Sequence, residues 1–390
     1  MRQLIAAALT GIRHRYCGLP PKFFGVGMSN LAVLVLAKDE ASKIERCLNS
    51  VRPYVDRMAV LDTGSRDGTQ DLARSCGAEV FQSTWRRDFA LARNTGLALL
   101  SAKWVLMLDA DEWVDSQCSE NTLRDATTIL QGAGLICCRN VFDLHERHEL
   151  ADSWVPRLVS GNTRYRGRIH EQPITSGSDQ RVPFLIHHDG YLKNGYESKS
   201  LRNIELLHEE VRAYPKDAYL HFQLGVQMEA VERWEEAYGF YKSSWTLGAI
   251  DRPFAHDLAV RWLHVLSKAS RFQEAVSDCD NFQRIWPNSS DVHFAIGNVA
   301  LSAATFDNEA ALTVWLPAAE AAWKKCLEIG EESIQAHHVL GRGSYLAAYN
   351  LSVIYEGLGY TSQAASYRDL ADKTRAIVKA ANQSQALFHH

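Results

Sequence analysis

Residues 104–115 read WVLMLDADEWVD. The run from Trp104 to Leu108 is large and apolar with no polar alternation, the pattern of a strand covered on both faces, as in a parallel sheet. It stops abruptly at Asp109-Ala110-Asp111-Glu112. In an extended chain residues two apart point the same way, so Asp109 and Asp111 converge across the small Ala110. Two carboxylates at the end of a buried strand repel one another and are costly to desolvate unless a cation lies between them. A hard divalent ion that brings a phosphorylated substrate with it is the natural neutraliser. A solvated acidic turn accounts for the same charges, so the decision rests with the rest of the chain.

Working outward towards the N-terminus, residues 31–36 form an aliphatic run that ends at Lys38-Asp39-Glu40, and Ile44, Leu48 and Val51 then recur at helical spacing. A second buried strand, 58–61, ends at Asp62 and the turn sequence TGSRDGT, where Asp67 is placed to cap the next helix. A third short strand covers 78–81, and a helix over 88–101 leads into the Trp104 strand. Strands alternating with helices predict a parallel, doubly wound sheet, and such sheets bind ligands beyond the carboxyl ends of their strands. Asp39, Glu40, Asp62, Asp109 and Asp111 all fall at those ends. That convergence raises each acidic turn to a site candidate.

The chain has 390 residues, 46% apolar and 23% charged, with a formal charge of −4. This is ample for two or three domains with real cores, and nothing in it advertises nucleic acid or an anionic membrane. The abundance of Trp, Tyr and Phe suits sugar or peptide contacts as well as core packing. Eight cysteines are scattered without C-x-x-C pairing, which predicts buried free thiols in a reducing, cytoplasmic compartment and no structural zinc. No apolar stretch reaches about 18 residues, so no membrane span is expected. Residues 1–29 read as a loosely attached leader, a poor signal peptide because its apolar core is short and Arg13-His14-Arg15 follows closely. Met28 is a candidate true start, testable by N-terminal sequencing of native protein.

Between 135 and 191 the texture changes to short strands around 154–158, 167–171 and 186–191, with a charged segment at 145–149. These complete the sheet and wall an acceptor cleft, and their histidines, following a carboxylate pair, are candidates for ligation or catalysis. After Ser198 helical periodicity takes over. Leu224-Gly225, Met228, Ala237 and Tyr241 have the spacing of a tetratricopeptide helix–turn–helix unit. Ala275 and Pro287 recur at matching offsets, with Trp262-Leu263 replacing Leu-Gly. Ile296-Gly297 opens a third unit whose second helix (Ala319, Trp323) is delayed by an insertion, and Leu351, Tyr355, Ala364 and Ala371 make a fourth. A degenerate solenoid of this kind leaves a concave groove suited to a peptide or partner surface. A plain helical cap that stabilises or dimerises the sheet domain is the simpler alternative.

In chain order, LAKDEASKIERCLNSV, LDTGSRDGT, WRRDFALARN and WVLMLDADEWVD, followed by RIHE and HHDGY, resemble the inverting nucleotide-sugar glycosyltransferases of family 2. The subgroup with a C-terminal tetratricopeptide-like domain is the most similar. It includes bacteriocin peptide S-glycosyltransferases and relatives of lipopolysaccharide-core glucosyltransferases. The resemblance covers about residues 31–240 well. It implies a GT-A fold, a Rossmann-like and mostly parallel α/β sheet domain over 30–197, followed by an all-α tetratricopeptide-like domain over 198–390.

The resemblance also implies roles. Asp39, Glu40 and Asp62 would bind the nucleotide-sugar, with Asp62 accepting the uracil imide N–H. Asp109 would lie near the ribose or the metal, Asp111 would ligate a divalent ion (Mn²⁺ or Mg²⁺), and His188 would add a further ligand, with His187 as its ambiguous neighbour. Arg93 would neutralise the diphosphate. Glu171 matches the position of the base, with His170 orienting it. The expected partners are a UDP-sugar donor and a peptide, protein or glycan acceptor, with a homodimer allowed by the solenoid. Two other classes compete. One is a repeat scaffold whose sheet domain binds nucleotide without turnover; it has no need of the base or the full acidic set. The other is a nucleotidyltransferase, which would want a Gly-rich phosphate loop after the first strand, where Asp39-Glu40 stand instead.

Overall fold

The computed structural model describes residues 29–144, 147–190, 196–331 and 335–383. Most of the expected leader, part of the charged segment 145–149 and Tyr191 lie outside these residues.

The first half builds on the aliphatic run, which forms β1 (Ser29–Ala37). Its side chains alternate between two cores. Leu31, Val33 and Val35 pack with Ile44, Cys47, Leu48 and Val51 of α1 (Ile44–Val51), whereas Ala32 and Leu34 face the opposite layer. Both faces are therefore covered, which is why the run carries no polar alternation. β2 (Arg57–Asp62), α2 (Thr69–Ser75), β3 (Glu79–Gln82), α3 (Phe89–Leu99) and β4 (Ala102–Asp109) follow in turn. Gly96 lets α3 lie close to the sheet: a Cβ there would stand 2.6 Å from Leu34 Cδ2. Asp88 caps α3 by accepting the Leu91 N–H at 2.7 Å. Asp67 does not cap α2. That position falls to Gly68, and Asp67 instead accepts the backbone N–H of Thr69 and, across the loops, of Ala41.

β5 (Glu112–Val114), α4 (Thr122–Ile129), the long hairpin β6 (Gly134–Leu144) and β7 (Arg147–Ser160), the small pair β8 (Arg164–Arg166) and β9 (Gln172–Ile174), and β10 (Gln180–His188) complete this half. The main sheet runs β3-β2-β1-β4-β7-β6-β10-β5. β1 pairs in parallel with both β2 and β4, so the chain order reverses there and leaves a crevice beyond the strand ends. The residues around 167–171, expected as a strand, form a turn instead, with Gly167 and His170 both at positive φ.

The second half is a solenoid. α5 (Tyr196–Ala213) precedes four helical hairpins: α6 (Ala218–Ala230) with α7 (Trp234–Thr246), α8 (Ala255–Lys268) with α9 (Phe272–Ile285), α10 (Ser290–Phe306) with α11 (Leu316–Ile329), and α12 (Tyr345–Gly357) with α13 (Thr361–Gln383). Small residues permit close packing within hairpins, since a Cβ on Gly225 would meet the Tyr241 ring at 2.3 Å and one on Gly297 the Trp323 ring at 2.4 Å. The expected insertion in the third hairpin is a π-helical turn, Ala311–Trp315.

This half is not wholly helical. Strand β11 (His337–Val339) leaves the solenoid and pairs antiparallel with β7 at Ala151–Ser153. The two halves are further joined where Ile169 packs into the repeat core and where the buried Glu149 accepts the Tyr345 hydroxyl at 2.6 Å. Among the described residues no helix is long and apolar enough to cross a membrane, and the described cysteines are all free.

Candidate active site

Strand register assembles the acidic residues. Ala37 pairs with Asp62 and Leu36 with Asp109, so the ends of β2, β1 and β4 lie side by side at one edge. Neighbouring strands are roughly 4.8 Å apart, which places the Asp62 and Asp109 backbones about 10 Å from each other. Asp62 is 1% exposed. Its Oδ1 accepts from the Gly64 and Ser65 backbones, both at 3.0 Å, and from Gln70 Nε2 at 2.9 Å. Its Oδ2 is buried without a protein partner, an acceptor held ready for a donor from outside the chain. Asp39, at φ +55°, accepts the Arg66 N–H at 2.8 Å, and the Glu40 N–H donates to Thr69 Oγ1 at 2.9 Å. These bonds lace the loops after β1 and β2 into one wall.

The DAD turn is braced by two arginines. Arg93 Nη2 donates to Asp109 Oδ1 and Arg157 Nη2 to Asp109 Oδ2, each at 2.9 Å. Arg157 also bonds Glu112, which accepts the Asp109 backbone N–H at 2.9 Å. Burial alone would raise the Asp109 carboxyl, but Arg157 and Arg93 overcome it and hold the group well below the usual carboxylate range. Glu112, buried and repelled by Asp109, is shifted upward. One nitrogen of each guanidinium, Arg93 Nη1 and Arg157 Nε, is buried without a hydrogen-bond partner.

Asp111 turns the other way. β5 pairs with β10 so that Glu112 lies opposite His188. This sets Asp111 Oδ1 3.7 Å from His188 Nε2 and Oδ2 3.7 Å from Lys43 Nζ. His188 Nδ1 is held by Asn140 Oδ1 at 2.9 Å, which orients the ring with Nε2 towards Asp111. Burial opposes a charge on His188, but the Asp111 carboxylate outweighs it and shifts the imidazole upward. His187 faces away: it bonds Asp115 Oδ2 at 2.7 Å and stacks on Trp113.

Arg93 Nε bonds the Glu171 carboxylate, so one guanidinium ties β4 to the turn after β8. Between His170 and Glu171 no side-chain hydrogen bond occurs among the described residues; Arg93 aligns the glutamate instead. The His170 Nε2 is buried without a partner, and burial lowers the ring to about 4, so it is neutral at physiological pH. The solenoid holds this turn in place. Gln172 bridges the His170 carbonyl and the Tyr219 hydroxyl of α6, and Arg168 pairs with Glu209 of α5 at 2.9 Å.

Among the described residues no three His, Cys, Asp or Glu side chains form a ready metal cluster. Asp109 spends both oxygens on guanidinium groups, whereas Asp111 and His188 come together. The space beside them suits a cation: a Cβ on Gly190 would stand 2.3 Å from His188 Nε2 and 2.7 Å from Asp111 Oδ2, so only glycine leaves it open. Small divalent ions commonly take one or two protein ligands and complete their shell with substrate phosphate oxygens and water. The residues present fit that arrangement.

Sequence reading missed Arg157, Glu112 and Asn140 as site residues. Neither Arg157 nor Asn140 stands out in sequence, since their strands carry other polar and charged residues as well. Asn94, beside Arg93, is a brace: its amide exchanges two hydrogen bonds with the Tyr165 backbone, at 2.9 and 2.8 Å.

Residues 32–173 match the family model described as glycosyl transferase family 2. Among known proteins, the SPbeta prophage-derived glycosyltransferase SunS of Bacillus subtilis (strain 168) is 26% identical over 220 residues, covering 54% of this chain and 52% of SunS. A TPR repeat-containing protein of Synechococcus elongatus is 31% identical over 244 residues, covering 54% of this chain and 57% of its own. The chain thus spans about half the length of the curated relatives it matches. Among solved structures, glucosyl-3-phosphoglycerate synthase from Mycobacterium tuberculosis, in complex with Mn²⁺, UDP and glucosyl-3-phosphoglycerate, aligns at 25% identity. That alignment covers 29% of this chain and 44% of the other, with a TM-score of 0.25.

Proposed function

We propose that the protein is an inverting glycosyltransferase that moves a hexose from a UDP-sugar to an acceptor seated between its two halves. The observation that carries this reading is the strand register that brings Asp62, Asp109, Asp111 and His188 to the strand ends on one side of the sheet, with two arginines paired to Asp109. In this reading the unpartnered Asp62 Oδ2 accepts the uracil imide N–H, and the loops after β1 and β2 hold the nucleoside. Arg93 and Arg157 direct their spare N–H groups at the diphosphate as charge grows on it. Asp111 and His188 would hold a divalent cation, which when bound supplies Lewis-acid neutralisation of the departing diphosphate. The C1–phosphate bond breaks as the acceptor heteroatom bonds C1 from the opposite face. The acceptor proton passes to the Glu171 carboxylate, and UDP departs with the bonding pair. Arg93 contacts both Asp109 and Glu171, so it keeps the base in register with the leaving group.

Acceptor-free release of UDP from UDP-glucose, UDP-galactose and UDP-N-acetylglucosamine tests this, with Mn²⁺ or Mg²⁺ and with EDTA. The expected result is metal-dependent hydrolysis of at least one donor. UDP release from none of them would return the protein to the reading in which the repeats alone act.

A further inference from the structure

Between the sheet and the solenoid lies a cavity of about 670 Å³, within the usual range for small-molecule sites. It adjoins the reaction centre at two points. Asn140, which fixes His188, lines it, and so does His170, the neighbour of Glu171. Its far wall is the inner face of α6, α8 and α10, and β11 closes one side. The transfer chemistry proposed above uses none of these repeat residues.

The charges of this cavity are spoken for. Arg261 pairs with Glu229 at 3.2 Å and with Asp257 at 3.0 Å, and Arg342 pairs with Asp291 at 2.7 Å. Among the described residues, every Asp, Glu or Arg lining the cavity has an opposite charge beside it. The remaining polar lining is mostly amide, imidazole and hydroxyl, with Ser153 and Ser267 supplying the hydroxyls. Gln227 is 7% exposed and lines the cavity, and its side-chain amide has no protein hydrogen-bond partner among the described residues. His337 is tied to Ser153 at 2.8 Å, and burial, opposed by Asp257 3.8 Å away, lowers it and so favours the uncharged ring. Groups that both donate and accept match hydroxyls, which do the same. Phe222 and Phe294, from equivalent turns of α6 and α10, add aromatic faces.

An extended peptide on a repeat array would be met by one residue type recurring from repeat to repeat. Here the equivalent positions carry Val226, His264 and Asn298 on α6, α8 and α10, so no amide ladder runs along the groove. The amides instead surround one space from both halves: Asn140 from the sheet, Gln227 and Asn298 from the repeats.

We propose that this cavity is the acceptor subsite and that it takes an uncharged, hydroxyl-rich ligand, the end of a neutral glycan. The assignment rests on the glycosyl-transfer reading and is tested apart from it. Full-length protein loaded with UDP and Mn²⁺ is offered maltotriose, cellotriose and triacetylchitotriose, beside trigalacturonate and an uncharged Gly-Ser-Asn hexapeptide, with binding followed by saturation-transfer NMR titration. At least one neutral trisaccharide binds saturably. Gln227→Leu and Asn298→Leu each weaken that binding about tenfold, the scale of a lost buried hydrogen bond. Thermal unfolding and acceptor-free UDP release stay unchanged in both variants, and Gln227→Ala serves as a milder check if Gln227→Leu unfolds. Failure of all three neutral sugars to bind, preference for the acidic trimer or the peptide, or binding indifferent to these substitutions overturns the proposal. Loss of UDP release in the unmodified protein strikes the underlying reading instead.

Discussion

The donor edge and the acceptor cavity are built by opposite means. The donor edge is local: each carboxylate follows its own strand, and parallel register alone brings Asp62 and Asp109 level. The cavity is assembled from elements as far apart in sequence as β6 and β11, and no single segment forms it. The difference teaches that in this fold the sheet positions charge, while the solenoid supplies shape. The turn around Glu171 lies where the two meet, tied to the solenoid through Arg168 and Gln172 and to the sheet through Arg93.

If that division is right, removing a group that acts at the boundary has the largest effect. Glu171→Gln keeps the Arg93 contact in neutral form and is expected to lower transfer by about 10²- to 10⁴-fold, the usual weight of a general base, with UDP affinity retained. Steady-state kinetics with a competent acceptor checks this, and transfer near the unmodified rate would remove Glu171 from its role. Arg157→Met probes the donor edge as structure. It strands the buried Glu112 beside Asp109, so a loss of about 3–5 kcal/mol in stability is expected by urea unfolding.

The solenoid side is tested more gently. Gly297→Ala pushes a methyl group onto the fully buried Trp323 and should cost about 1–3 kcal/mol, leaving acceptor-free UDP release in the folded protein intact. A pH-dependent effect, of similar size, concerns the strand that crosses between the halves. Burial disfavours a charged His338, but its bonds to Asp291 and Glu331 outweigh this and raise it to about 9. Because the folded value lies above the unfolded one of about 6.5, this stabilisation is complete below pH 6.5. It is lost as pH rises through 9. Unfolding measured from pH 6 to 10 should show that decline, and His338→Gln should flatten it.

How much of this was legible in the sequence follows the same division. The strand ends were readable because a buried strand shows as an unbroken apolar run and its termination as charge. The helical hairpins were readable because Gly225 and Gly297 must be small against Tyr241 and Trp323. Arg157 was not readable, since only the antiparallel pairing of β7 with β4 brings it to Asp109. Nor was β11: three residues carry no periodicity, and their partner strand lies some 185 positions earlier in the chain, as Ser153 pairs with His337. Asp67 misled because its side chain bonds a neighbouring loop while Gly68, at φ +93°, takes the cap position.

The central claim is that Asp111 and His188 hold a cation that in turn holds the nucleotide anchored at Asp62. Calorimetric titration of UDP into the unmodified protein and into Asp111→Asn, with and without Mn²⁺, measures it most directly. The account predicts UDP binding that Mn²⁺ strengthens at least tenfold in the unmodified protein, with the metal's contribution absent in Asp111→Asn. Binding of UDP that ignores both the metal and the substitution would contradict it.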